Sequence, residues 1–232
     1  MQTVKLDSRL SSVAALVRSG SRVADIGTDH AYVPVYLLQS GISPSAVAAD
    51  LRKMPLENAK KTISLYSLEN KITTVLSDGL DGIDSACCDD IIIAGMGGLL
   101  ITELISRTEW LKNNRYRLVL QPMSHAEDLR RYLFENGFEI VEERCSKDGR
   151  HYYCSMAAEY RGTALNYSPA APYIGRLGSS GDEITLTYLK KQLSRLEKRR
   201  DALENAAADN TEQVLKLSRI ISDFKRIMEG AL

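Results

Sequence analysis

Three acidic residues stand where short apolar runs end. Asp25 lies in Val23-Ala24-Asp25-Ile26-Gly27-Thr28-Asp29-His30, Asp50 follows Ala46-Val47-Ala48-Ala49, and Asp78 lies in Ser77-Asp78-Gly79-Leu80. A carboxylate at Asp25 suits the cationic amino end of an amino-acid-like ligand, directly or through water. Gly27 lets a ligand approach the backbone closely. Asp50 comes about 25 residues later, and an acid at the end of a second strand accepts hydrogen bonds from both ribose hydroxyls of an adenosine. Asp78 suits the adenine amino group, with Gly79 leaving room for the base. Each has a plainer reading alone: a strand-to-helix turn capped by Asp29, a solvated loop acid, or an ordinary Asp-Gly turn. Taken together, acids at the ends of three successive strands point to a nucleoside that carries an amino-acid group.

A fourth segment, Ile93-Ala94-Gly95-Met96-Gly97-Gly98, holds three glycines in four residues. Such density implies positive-φ turns or a close backbone approach, here at Gly95 and Met96. Gln121-Pro122 ends a fifth apolar run and either lines an acceptor pocket or is a plain loop. The Gly-x-Gly-x-x-Gly fingerprint that cradles a pyrophosphate is missing, which disfavours NAD and FAD. The Asn-Pro-Pro-Tyr motif of many amino-group methyltransferases is missing too. No Cys-x-x-Cys pair occurs among the four cysteines, and the three histidines are scattered, so no metal site is expected.

The elements that position these residues follow from periodicity. Strands are expected at 22–26, 46–49, 72–76, 90–94 and 117–120. Helices are expected at about 7–17, 31–39, 54–66, 99–107 and 125–136. Beyond Gly137 the period changes. Segments 138–144 and 152–160 read as strands joined through Ser146-Lys147-Asp148-Gly149-Arg150, where Asp-Gly signals a hairpin. Five strand–helix units and a closing hairpin give a mostly parallel α/β sheet with an antiparallel edge, the Rossmann-like class I methyltransferase architecture. The ligand such a site fits is S-adenosyl-L-methionine.

Residues 161–182 are rich in Gly, Ser, Pro and Ala and read as a linker or loose connection. After it, Leu186, Leu189, Leu193, Leu196 and Leu203 repeat at helical spacing, as do Val214, Leu217, Ile220, Ile221, Phe224 and Met228. A turn near Ala206–Asn210 would make them an antiparallel coiled-coil hairpin. Two domains are expected, 1–160 for the ligand and 161–232 for the tail. The 232 residues carry 30 basic and 30 acidic side chains, no footprint of a general nucleic-acid binder. From Arg161 onward there are 12 basic and 9 acidic residues. No apolar run is long enough to span a membrane and the start lacks a signal peptide, so a cytoplasmic protein is expected.

The segments Leu6-Asp7-Ser8-Arg9-Leu10, Ala24-Asp25-Ile26-Gly27-Thr28-Asp29-His30-Ala31-Tyr32-Val33-Pro34, Ser77-Asp78-Gly79-Leu80, Ile93-Ala94-Gly95-Met96-Gly97-Gly98 and Leu120-Gln121-Pro122 together resemble the bacterial tRNA (adenine-22 N1)-methyltransferases. The likeness runs over essentially the whole chain, tail included. It implies S-adenosylmethionine-dependent methylation of N1 of an adenine in the D-arm region of tRNA, and it adds Arg9 to the cofactor residues. Asp50 departs from the glutamate usual in the family, keeping the charge with a shorter reach. Asp29, His30 and Tyr32, just after the cofactor turn, are the candidates to contact the acceptor base or shape its pocket. His30 serves equally as a structural group at the helix start. For the tail, Lys190, Lys191, Arg195, Lys198, Arg199, Arg200, Lys216, Arg219, Lys225 and Arg226 are candidate phosphate contacts. Self-packing and dimerisation stand beside that reading, and a monomer or weak dimer is expected. On this view a chain ending near Tyr160 keeps the cofactor and loses tRNA. The rival reading is a methyltransferase acting on a small molecule or protein.

Overall fold

The computed structural model describes residues 3–179, 181–206 and 209–230. Its centre is a seven-stranded sheet of order β3-β2-β1-β4-β5-β7-β6. The strands are β1 (Val23–Ile26), β2 (Ala46–Asp50), β3 (Ile72–Leu76), β4 (Asp90–Gly97), β5 (Arg117–Ser124), β6 (Phe138–Asp148) and β7 (His151–Tyr160). The first five run parallel, and β7 enters antiparallel to both β5 and β6. The order reverses between β1 and β4, which opens a crevice at their carboxyl ends where ligands of such sheets bind.

Side-chain alternation along the strands divides the core in two. Val23, Ala48, Ile92 and Val119 face a layer formed by α1 (Ser8–Ala14), α2 (Tyr32–Gln39) and α3 (Lys53–Leu65). Ala24, Ile26, Val47, Ile91, Ile93 and Leu120 face the opposite layer, α4 (Gly98–Ser106) and α5 (Ala126–Glu135). Central strands covered on both faces are largely apolar, and β1 and β2 are buried at every position, Asp25 and Asp50 included.

Three segments differ from the sequence expectation. The glycine run after Ala94 is no loop: β4 continues through a register shift at Gly95 and feeds α4 directly. A glycine at φ +79° absorbs the extra residue there without a Cβ penalty. β5 likewise continues to Ser124. The expected hairpin loop is mostly strand, since β6 and β7 stay paired up to Asp148 and His151 and leave a two-residue turn, Gly149-Arg150.

Residues 161–182 are also more ordered than their composition suggests. They contain α6 (Ala171–Ile174), and Ala170, Ile174 and Leu177 are buried. Then α7 (Glu183–Glu204) starts on an Asp182 cap, whose carboxylate accepts from the Thr185 amide at 2.9 Å. It is followed by α8 (Thr211–Glu229). The two helices lie antiparallel, with Lys225 reaching Glu197 at 2.7 Å and Asn210 the Leu203 carbonyl at 3.2 Å. In the turn expected between them, Ala207 and Ala208 lie outside the described residues. Tyr188, Leu189, Leu196, Leu217 and Phe224 join the same buried cluster as Phe138, Ile140 and Met156. The helical hairpin therefore shares one core with the sheet. Among the described residues, no helix is long and apolar enough to cross a membrane.

Candidate active site

Asp25 sits inside β1, paired on either side with Ala48 and Ile92, and only 8% of its surface is exposed. Burial pushes its carboxyl up to about 6, a hydrogen bond from the Thr28 side chain opposes that rise, and the nearby Asp50 charge adds to it. A carboxylate kept dry beside another acid is poised for a cationic partner. Asp50, also 8% exposed, ends β2 and accepts from the Arg52 amide at 2.8 Å, which orients one oxygen and leaves the other.

Gly27 follows β1 at φ +77°, and a Cβ there would lie 2.1 Å from Cε of Met96. Met96 thus reaches from β4 across the crevice onto the β1 turn. Gly95 stands beside Arg9, whose Nη1 would be 3.6 Å from a Cβ at that glycine. Arg9 is delivered by α1, which starts on an Asp7 cap. Its Nη1 donates to Gln121 Oε1 at 2.8 Å, and the Gly95 amide donates to the same oxygen at 3.2 Å. The rim of the crevice thereby places a fixed cation at β4 and a dry anion at β1.

Asp78 is placed differently. Its side chain is largely exposed, and Oδ1 pairs with Arg107 Nη2 at 2.6 Å, while the Asp78 carbonyl accepts from the same nitrogen at 2.9 Å. A Cβ on Gly79, at φ +57°, would strike Leu104 at 2.4 Å. The Ser77-Asp78-Gly79 turn is thus pinned by α4, with only the second Asp78 oxygen left for a ligand.

Asp29, His30 and Tyr32 project at the start of α2. The His30 and Tyr32 rings stack with centroids 5.1 Å apart, and His30 Nε2 is 3.4 Å from Asp29 Oδ2. Asp29 does not cap the helix. That place is taken by Ala31 at φ +53°, whose amide donates to Thr28 Oγ1 at 3.1 Å. His125, which precedes α5 on the same edge, has φ +54°. Non-glycine residues in this region are strained and occur where surrounding structure over-determines them. Exposed Tyr32, Leu51, Met54, Leu99, Leu100 and Met123 stand at or just beyond the carboxyl ends of β1, β2, β4 and β5, an apolar rim by their place in the fold.

Thr28 is a site residue that pattern reading passes over, and the role of Gln121 is one that it leaves open. Gln121, which the sequence offers as pocket lining or plain loop, is fully buried and holds both Arg9 and Gly95. Thr28 serves Asp25 and the Ala31 turn together. Among the described residues, His125, Glu127 and Asp128 bring ligand atoms within 4.8 Å of one another, though Asp128 is already paired with Arg131 at 2.6 Å.

The chain is similar to known proteins over most or all of its length. The family described as "Methyltransferase domain" matches residues 6–156. The tRNA (adenine(22)-N(1))-methyltransferase of Bacillus subtilis is 29% identical over 99% of this chain and 98% of its own length. The crystal structure of the B. subtilis m1A22 tRNA methyltransferase, 26% identical, superposes with a TM-score of 0.83 over 99% of this chain and 100% of that one. A Streptococcus pneumoniae protein solved in complex with S-adenosyl-L-methionine is 29% identical, with a TM-score of 0.81 over 97% of this chain and 100% of its own. The chain belongs to the methyltransferase domain family, and among the relatives it matches along its whole length is the B. subtilis tRNA (adenine(22)-N(1))-methyltransferase.

Proposed function

We propose that this protein transfers a methyl group from S-adenosyl-L-methionine to N1 of adenine 22 in bacterial tRNA. The observation that carries this reading is the end-to-end likeness to the B. subtilis enzyme, helical tail included. The site supports the cofactor on chemical grounds. Asp25 suits an α-ammonium, Arg9 an α-carboxylate, Asp50 a ribose diol and the free Asp78 oxygen an exocyclic amine. Glycines at 27, 79 and 95 take positive φ and let Met96, Leu104 and Arg9 close on the turns that carry these groups. The cofactor, when bound, supplies a sulfonium-activated methyl carbon.

What the chain itself must do follows from the acceptor. N1 of adenine already carries a lone pair, so the protein must orient it rather than deprotonate it. The N1–CH3 bond forms as the S–CH3 bond breaks, and the positive charge passes to the adenine ring. We assign Asp29 to that charge: its exposed carboxylate at the mouth of the crevice attracts the developing cation. The His30–Tyr32 stack shapes the wall on which the base rests. Because N1 lies on the Watson–Crick edge, the adenine must leave its pair and stack before reacting. The apolar rim offers the extruded base a surface.

In the tail, Arg200, Lys225 and Arg226 are spent on Asp201, Glu197 and Asp223. Lys190, Lys191, Arg195, Lys198, Arg199, Lys216 and Arg219 have no carboxylate partner among the described residues, and they are the phosphate contacts we assign to it. We read the chain as a cytoplasmic enzyme, monomeric or weakly dimeric, with residues 1–160 carrying the cofactor site and 161–232 the tail. The test is transfer of labelled methyl to bulk bacterial tRNA with nucleoside analysis. Formation of 1-methyladenosine, abolished when position 22 is no longer adenine, is the expected result. Cofactor binding without tRNA labelling would overturn the acceptor and favour a small-molecule or protein substrate.

A further inference from the structure

The tip of the β6–β7 hairpin supplies none of the candidate cofactor residues, yet Tyr153 on it touches Arg9, which does belong to them. β7 pairs with β5 up to Leu120–Met156, the level at which β1 ends, and from Met156 back to His151 the hairpin runs on beyond that level, paired with β6 alone. Five residues of strand project about 17 Å, at about 3.4 Å each. From 147 to 153 the sequence reads Lys-Asp-Gly-Arg-His-Tyr-Tyr, with Asp148 its one acid.

Strand alternation sends the two tyrosines to opposite faces. Tyr153 turns toward α1, where the Arg9 guanidinium lies 5.9 Å from its ring centroid and the His151 ring 6.3 Å away. The Ser8 hydroxyl donates to the Lys147 carbonyl and ties the tip to α1. Tyr152 turns toward α7. Two ammonium groups gather at its ring, Lys191 at 4.2 Å and Lys147 at 5.7 Å, and neither has a carboxylate partner among the described residues. Cation–π attraction holds each in place, but two like charges around one ring repel. An anion between them would relieve that repulsion.

We propose that this tip is an RNA-binding element that spans the catalytic crevice and the helical tail, with Lys147 and Lys191 clamping a backbone phosphate over Tyr152. Arg150 and His151 extend the clamp toward the strand that enters the crevice. Interleaved cations and aromatic rings are the chemistry of RNA backbone and exposed-base recognition. Arg9 links this surface to the cofactor site, because one guanidinium touches both Tyr153 and Gln121. The proposal rests on the tRNA reading above.

The experiment compares the full-length protein with Lys147→Glu/Arg150→Glu, Tyr152→Ala and Tyr152→Phe. The charge pair is solvent-exposed beside a two-residue turn, so its reversal leaves the core intact. The expected result is a KM for tRNA raised about tenfold or more, with kcat at saturating tRNA and cofactor affinity within about twofold of wild type. The salt dependence of log kcat/KM should become shallower by about 1–2, given a slope of about 0.7–0.9 per phosphate contact and two cations removed. Tyr152→Phe should keep the clamp and Tyr152→Ala should lose it. Wild-type KM and salt slope in the charge-reversed protein would overturn the proposal. So would a change in oligomeric mass with tRNA kinetics intact, which would make the tip a contact between copies. If the wild-type protein methylates no tRNA, the acceptor reading falls, and direct tRNA binding decides the clamp: equal binding by wild type and variant, or none by either, overturns it.

Discussion

Arg9 and Gln121, 112 residues apart in sequence, meet at 2.8 Å beneath the rim of the cofactor crevice. Gln121 has nowhere else to turn. It is fully buried, its oxygen accepts from both Arg9 and the Gly95 amide, and its nitrogen donates to the Pro122 carbonyl at 3.0 Å. A guanidinium held this way is set to receive a carboxylate. Arg9→Ala should therefore weaken S-adenosylhomocysteine binding by roughly 10- to 100-fold, the range for losing a hydrogen bond to a charged group. It should leave 5′-methylthioadenosine, which lacks the amino-acid end, nearly unaffected. Calorimetric titration with both ligands checks this, and equal losses would remove the carboxylate role from Arg9.

Asp25 predicts a pH dependence with a definite sign. Its folded pKa of about 6 lies above the ordinary value of 3.8. The folded chain holds this proton more tightly than the unfolded one, so the contribution to stability is fully present below about pH 4 and is lost as pH rises through about 6. Cofactor binding runs the other way, because the ligand ammonium wants the ionised form. Affinity should fall up to tenfold for each pH unit below about 6. Asp25→Asn should abolish most cofactor affinity and yet raise the stability of the unliganded protein at pH 8. At about 1.36 kcal/mol per pKa unit the gain is on the order of 1–3 kcal/mol. Urea unfolding at pH 5 and pH 8 separates the cases. A variant that gains nothing at pH 8 would mean that Asp25 is not held under strain.

The positions of the acids were legible because each lies at or near the end of an apolar run in a fold whose carboxyl edge binds ligands. The elements between them were legible from periodicity for the same reason: buried parallel strands are short and continuous. Gln121 was not, because strand-to-loop reading stops at the first polar residue, whereas β5 runs on through it to Ser124. Arg9 entered only through resemblance, since no local spacing connects α1 to β5. The glycines at 95, 97 and 98 pointed to a positive-φ turn, which Gly95 supplies, but only the pairing of β4 with Gln121, Pro122 and Ser124 makes the segment a bulged strand and helix start. Composition likewise hid the role of residues 161–182, where small apolar side chains such as Ala170 and Ile174 fill core space without helical periodicity.

Gly98 offers a test of the acceptor side. A Cβ there would stand 2.3 Å from the His125 carbonyl oxygen and 2.7 Å from that of Ser124. Both are backbone atoms and neither yields as a flexible side-chain end does. Gly98→Ala should cost about 1–3 kcal/mol by overpacking, occasionally more, and should push α4 away from the start of α5. Gly41→Ala is the control. That glycine has φ +68° with nothing within 4 Å, so only the backbone penalty of about 1–2 kcal/mol applies. Turnover at saturating cofactor should drop in Gly98→Ala and not in Gly41→Ala when both are assayed well below their melting temperatures. Equal turnover would show that the β4–α4 junction does not position the acceptor.

Beside the apolar core that the tail shares with the sheet, a buried ion pair grips the segment leading into the tail, and that pair gives the last prediction. Arg130 on α5 meets Glu143 on β6 at 2.8 Å, with both side chains at most 1% exposed. Burial alone would lower the guanidinium pKa, yet the Glu143 charge holds it well above its usual value. Arg130 also donates to the Pro172 carbonyl at 3.0 Å, and Glu143 accepts from the Arg176 amide, so both partners grip the segment that leads into α7. Gly175 closes over them, since a Cβ there would lie 2.0 Å from Glu143 and 2.6 Å from Arg130. Removing one partner strands a buried charge. Arg130→Met and Glu143→Gln should each cost about 3–5 kcal/mol, whereas Arg130→Met/Glu143→Leu should recover much of that loss. The same geometry means that a chain cut at Tyr160 loses core as well as tail, so a fall in its tRNA affinity would not isolate an RNA contact. The point variants do isolate the coupling. Chemical denaturation should give one cooperative transition for the wild-type chain, and the single variants should separate melting of α7–α8 from melting of the sheet. One unchanged transition in both single variants would show that the pair does not hold the two parts together.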